Sequence, residues 1–165
     1  MADKFIIRAE ATPVVSISDG DGDATDVIHH DVNKILGGDS MIINASEATG
    51  QPKWYVALNR QIGATTGPSV VDGNYSDGTV HDDNDHIMGY YIKHLGVDEN
   101  GDAVTDFLTL NRFATSQPLF NIYPGESAYG RCHNNTMMDV GSFKIWNNNS
   151  YNIMVDIVCF CDYTP

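Results

Sequence analysis

The hydrophobic pattern is clearest near the C-terminal end of the chain. Over residues 151–161, Tyr151, Ile153, Val155, Ile157, Cys159 and Cys161 fall on one face of an extended segment. Asn152, Met154, Asp156, Val158 and Phe160 fall on the other. A period of two marks a strand whose faces meet different surroundings, here a core and a mixed environment. A strand this long is easiest to protect in the middle of a sheet. Residues 142–147 read as another strand, leading into it through Asn148-Asn149-Ser150. Residues 87–98 and 102–110 flank Glu99-Asn100-Gly101, and the Asn-Gly pair predicts a hairpin with a type I′ turn.

Shorter strands are predicted at 4–10, 13–18, 40–45 and 53–59. Val14, Val15 and Ile17 supply β-branched residues there, and Pro13 marks a break. Residues 27–36 are the one helix candidate. Ile28, Val32, Ile35 and Leu36 recur at helical spacing before Gly37-Gly38, with a strand as the competing reading. Residues 61–86 are polar and Gly-rich, with Val70-Val71 as their one apolar segment; a loop of that length suggests a functional role or an interaction arm. Many short strands without βαβ alternation predict an all-β fold, an antiparallel β-sandwich or jelly roll with at most one short helix. With no repeat and no second composition regime, residues 1–165 read as a single domain with an N-terminal arm at 1–18 and a long loop at 61–86.

Composition agrees with that pattern. The chain of 165 residues has 18 Asp but only 4 Glu, with 14 Asn and 15 Gly, an excess of turn formers over helix formers. The net charge is −13, and the nine Lys and Arg are scattered, which argues against binding nucleic acid or an anionic membrane. No apolar run reaches the roughly 18 residues of a spanning helix. The first eight residues place an acid and a base where a signal peptide needs apolar residues, so synthesis in the cytoplasm is expected.

Candidate chemistry is sparse. Asp19, Asp21 and Asp23 alternate with Gly on one loop and form a candidate Ca²⁺ site, although Ala24 and His30 occupy the positions where an EF-hand needs Gly and Glu. Turn chemistry and solvation are the alternative there, and also at Asp98–Asp102. His81, Asp82, Asp83, Asp85 and His86 could ligate a metal or form a solvated, pH-responsive loop. The adjacent His29-His30 pair reads as one ring toward the core and one toward water. Cys159 and Cys161 sit two strand rises apart on one face, unsuited to a mutual disulfide, and read as small core residues. Cys132-His133 would be needed to complete a zinc site with them. Tyr75, Tyr123, Tyr129 and Tyr163 lie among polar loop residues, as in recognition surfaces and sugar sites, or else cap strand ends. No nucleophile elbow, zincin motif or phosphate loop occurs, so no catalytic residue and no cofactor is assigned and the chain reads as non-enzymatic.

An acidic β domain rich in Asp, Asn and Gly, ending in Phe143-Lys-Ile-Trp-Asn-Asn-Asn-Ser-Tyr-Asn-Ile-Met-Val-Asp-Ile-Val, resembles small virion proteins of tailed bacteriophages, in particular capsid decoration (cement) proteins. The resemblance implies a homotrimer on the capsid exterior that binds and stabilises the major capsid protein lattice, with 3–17 and 61–86 as arms toward neighbours. No site residues carry over from it. Two other functions remain open: a carbohydrate- or receptor-binding jelly-roll head of a phage fibre, with Ca²⁺ at Asp19–Asp26, and a lyase or glycosidase on the same fold.

Overall fold

The computed structural model describes residues 4–9, 14–18, 24–28, 39–112, 117–132 and 138–163. The chain divides into two compact units, residues 6–42 and residues 1–5 with 43–165. In the smaller unit, β2 (Val14–Ser18) and β3 (Ala24–Ile28) pair antiparallel, with Val14 opposite Ile28 and Ser18 opposite Ala24. Strands β1 (Lys4–Ala9) and β4 (Asp39–Asn44) form another two-stranded sheet. Val27 and Ile28, expected to open a helix, lie in β3 opposite Val15 and Val14, so the strand reading is correct at those two positions. β-branched side chains suit that pairing better than a helix. The rest of the helix expected at 27–36 lies outside the described residues.

The larger unit is an antiparallel sandwich of two sheets. The first contains β5 (Gln51–Ile62), β6 (His86–Asp98), β9 (Ser127–Arg131), β10 (Met138–Asp139) and β12 (Ile153–Tyr163). β12 lies between β5 and β6, while β9 and β10 both pair with the far edge of β6. The second sheet has the order β11 (Phe143–Trp146), β7 (Leu108–Arg112), β8 (Gln117–Ile122). The described residues contain two single-turn 3-10 helices, Ala45–Glu47 and Val140–Ser142, and no helix long and apolar enough to cross a membrane.

The alternation read from the final strand sets the core. Ile153, Val155, Ile157, Cys159 and Cys161 are all fully buried. They face Leu108, Leu110, Phe143 and Ile145 of the second sheet in one continuous cluster. Each buried Ile, Val or Leu contributes roughly 1.5–3 kcal/mol of transfer free energy. Phe160 points the other way and is also fully buried, under Phe5 and Trp54, with ring centroids 6.3 and 4.7 Å from its own. Asp162 closes the sheet near its end: its carboxylate accepts hydrogen bonds from the Thr49 amide and hydroxyl (both 2.8 Å) and the Gly50 amide (2.7 Å).

The expected hairpin is present only at its tip. The Gly101 amide donates to the Asp98 carbonyl at 3.1 Å, and the Asp98 amide to the Asp102 carbonyl at 2.9 Å. Gly101 has φ +88°, but among the described residues only Asn59 and Thr65 are non-glycines with positive φ. A type I′ turn would need positive φ at Asn100 as well. The turn is therefore a three-residue loop with glycine at its left-handed position, and the Asp98 carboxylate accepts from the Asn100 and Asp102 amides. Pairing of the two arms stops at the bond from the Val104 amide to the Gly96 carbonyl. The next position on β6 is taken, because His94 exchanges backbone bonds with Gly125 and Glu126. The chain consequently crosses to the second sheet and becomes β7. The same happens between β11 and β12: consecutive in sequence, they lie in opposite sheets. Asn147 supports that crossing by donating through Nδ2 to the Ile62 and Tyr151 carbonyls.

The 61–86 stretch is pinned to its own unit. Gln61 and Ile62 finish β5, and His86 opens β6. Between them, Thr66 and Ser69 bridge to Asn147 and Lys144 along the free edge of β11, and Val70, Val71 and Tyr75 are buried. Arg60 clamps the segment through the Ser69 and Val70 carbonyls at 2.9 and 2.6 Å. Two substitutions on β12 separate the inner face from the outer one. Ile157→Ala should destabilise the protein by about 2–5 kcal/mol, and Val158→Ala by under about 1.5 kcal/mol. Urea unfolding midpoints measure both.

Candidate interaction face

The polar clusters singled out in the sequence resolve into structural roles where they are described. Asp85 is buried; its Oδ2 accepts from the Tyr75 hydroxyl at 2.9 Å and the Asp82 amide at 2.8 Å. Tyr75 is thus a core residue, 2% exposed, and not part of a recognition surface. His81 hydrogen-bonds through Nδ1 to the Gly73 carbonyl, and His86 Nε2 lies 3.4 Å from Asp139 Oδ1. No cluster of three or more His, Cys, Asp or Glu fit to hold a metal occurs among the described residues. Asp19, Asp21 and Asp23, the candidate Ca²⁺ ligands, lie outside the described residues, as do His29, His30 and His133.

The three cysteines are free thiols. Burial raises the pKa of Cys159 and Cys161 well above the ordinary thiol value and pushes Cys132 up to about 12. Such thiols are poor nucleophiles and poor metal ligands at neutral pH. His94, which sequence reasoning passed over, is fully buried. Its Nδ1 accepts from the Gly96 amide at 2.9 Å, so Nε2 carries the proton and donates to the Asp106 carbonyl at 3.1 Å.

The unit's most unusual surface is the outer face of the first sheet. Strand register places Val56, Val158, Tyr91 and Tyr129 side by side across β5, β12, β6 and β9. Val56 is 48% exposed and Tyr129 42%, and nearby Leu58 is 65% exposed. The preceding row on this face, Trp54, Phe160 and Gly89, is covered by the same unit's Phe5 and Ile43. Gly89 makes room for them: a Cβ there would lie 2.3 Å from Ile43 Cδ1 and 2.9 Å from Phe5 Cδ1. The face is therefore apolar over two successive rows, of which the chain covers one.

Charge on this face is balanced. Asp156 stands opposite Lys93 in the row beyond Val158, and Arg131 of β9 pairs with Glu47. An otherwise strongly acidic chain thus presents a locally neutral, apolar strip. A contiguous exposed apolar patch rimmed by polar residues is the usual mark of a contact surface. Tyr129 was singled out from sequence as exposed and is so; Val56, Leu58 and Val158 were not, because alternation alone does not say which apolar residues a second layer will cover.

Two measurements check these assignments. Burial lowers the pKa of His94 below its ordinary 6.5, against the weaker opposing effect of its bond to Asp106. The unfolded chain therefore takes up this proton at higher pH than the folded one. His94's contribution to stability is complete above about pH 6.5 and is lost as pH falls through the lowered folded value. Between about pH 7.5 and 5, wild-type protein should lose more stability than His94→Gln, as read by urea unfolding at each pH. Native protein should also react with a thiol reagent at no more than one cysteine, and at all three after denaturation.

No family model matches this chain, and no curated protein or solved structure matches it either.

Proposed function

We propose that the chain is a non-enzymatic virion structural protein, a decoration protein that binds the assembled capsid lattice as a homotrimer. The observation that supports this reading is the half-covered outer face of the first sheet. Phe5 and Ile43 cover one row of this face, and the next row (Val56, Val158, Tyr91 and Tyr129), with Leu58 beside it, continues the apolar surface. A second copy is the occupant that the charge favours. Two chains of net charge −13 repel each other over most of their surface. On this face Lys93 and Arg131 offset Asp156 and Glu47, so repulsion is least here. The capsid partner and the trimer come from the likeness of the sequence to decoration proteins. A ligand that binds assembled subunits but not free ones stabilises the shell by mass action.

The alternative, a receptor-binding fibre head, predicts a handful of copies per particle, where decoration predicts hundreds. Leu58→Asp places a charge at the β5 end of the open row, at a position 65% exposed, so the fold should survive with a stability change within about 0.5–1 kcal/mol. Wild-type protein should run as a trimer by native mass spectrometry and sediment saturably with bare capsids. The variant should be monomeric and bind capsids at least about tenfold more weakly. A wild-type monomer that ignores capsids contradicts the reading.

A further inference from the structure

The outer face of the second sheet carries a different surface. Alternation along β7 sends Leu108 and Leu110 into the core and turns Thr109 and Asn111 outward. Register then sets Trp146, Thr109 and Asn121 in one row across β11, β7 and β8, and Lys144, Asn111 and Pro118 in the next. With Phe107 and Asn148 these residues, Lys144 excepted, line an open groove of about 540 Å³. That volume is within the usual range for small-molecule sites.

Trp146 is the fixed element of the groove. A Cβ at Gly67 would lie 2.2 Å from Trp146 Cε2 and 2.3 Å from Cδ2, so the glycine backbone is pressed flat against one side of the indole. The Asn111 amide holds the ring's edge: oriented by its hydrogen bonds, its oxygen accepts from Trp146 Nε1 at 3.0 Å and its nitrogen donates to the Leu110 carbonyl at 3.2 Å. The other side of the indole is left for the groove. Beside it, Thr109 donates through Oγ1 to Asn121 Oδ1 at 3.1 Å, which sets the Asn121 amide with its nitrogen free of partners among the described residues. Phe107 packs against Tyr123 in a tilted pair, ring centroids 5.4 Å apart, and continues the aromatic surface at one end.

We propose that this groove binds a neutral oligosaccharide. A sugar ring has an apolar C–H face and a rim of hydroxyls, each both donor and acceptor. A rigid aromatic face takes the first, and side-chain amides, which also donate and accept, take the second. The residues that line the groove include neither a cation nor a carboxylate, and Lys144 outside them directs Nζ to Ser69 Oγ at 2.6 Å. The lining therefore offers no free charge to a polyanion, and the acidic chain around it disfavours stacked nucleotides. The inference rests on this lining alone and is independent of the capsid reading, which concerns the opposite sheet.

The test is calorimetric titration of the whole protein with a panel of cellohexaose, laminarihexaose, maltohexaose and chitohexaose. At least one should bind, with an affinity that does not change between low and high salt. Trp146→Ala should weaken it at least about tenfold, and Trp54→Ala should not. Asn121 is exposed, so Asn121→Ala keeps the fold if Trp146→Ala does not, and it too should weaken binding. Failure of the whole panel at millimolar sugar, binding untouched by the groove variants, or strong salt dependence would each overturn the proposal. None of these results bears on capsid binding, which Leu58→Asp reports separately.

Discussion

The structure of the larger unit depends on β12 being hydrogen-bonded along both edges and packed on both faces. Its inner face supplies five fully buried side chains to the core, and its outer face supplies Phe160 to a second, smaller aromatic cluster with Phe5 and Trp54. β5 and β6 are held in register by it, and through β6 so are β9 and β10. Asp162 ties its end to the turn that begins β5. With only two single-turn 3-10 helices among the described residues, the sheet has other strands, loops or partners with which to cover its faces. The inner face is covered by the second sheet. The outer face is covered for one row and then left apolar and open.

Much of this was legible in the sequence because strand alternation is a local property. The inner residues of β12, the limits of β4 and β11 to within one residue, and the burial of Cys159 and Cys161 follow from residue order alone, whereas β5 runs two residues earlier and three later than the expected 53–59. Pairing was less legible, because it depends on competition for the same backbone groups. Asn100-Gly101 forms a tight turn, but the β6 edge beyond Gly96 is bonded to Gly125 and Glu126, distant in sequence, so the second arm leaves. Tyr75 looked like a loop tyrosine because its neighbours are Asn, Ser and Asp. It is buried because Asp85, ten residues on, receives its hydroxyl inside the core.

The candidate sites show the same division. Exposed Tyr129 could be picked out, but its partners Tyr91, Val158 and Val56 come together only through the registers of three strand pairs. Trp146 carries no local sign of being a platform. That role depends on Gly67, which is distant in sequence and sits flat behind the ring. The polar clusters that stood out, by contrast, are mostly turn and core chemistry: Asp98 caps its own turn, and Asp85 satisfies Tyr75 and the Asp82 amide. The two opposed sheet faces thus carry different surfaces, one apolar and charge-balanced, the other aromatic and amide-lined.

The central claim is that the open row on the first sheet is completed by another copy of the chain in the assembled state. Hydroxyl-radical footprinting of the protein bound to capsids, compared with the protein free at high dilution, tests it most directly. Leu58, Tyr91 and Tyr129 should become protected on assembly, while Leu119 and Phe120 on β8 keep their reactivity. Equal labelling of Leu58 and Tyr129 in the two states would contradict the account.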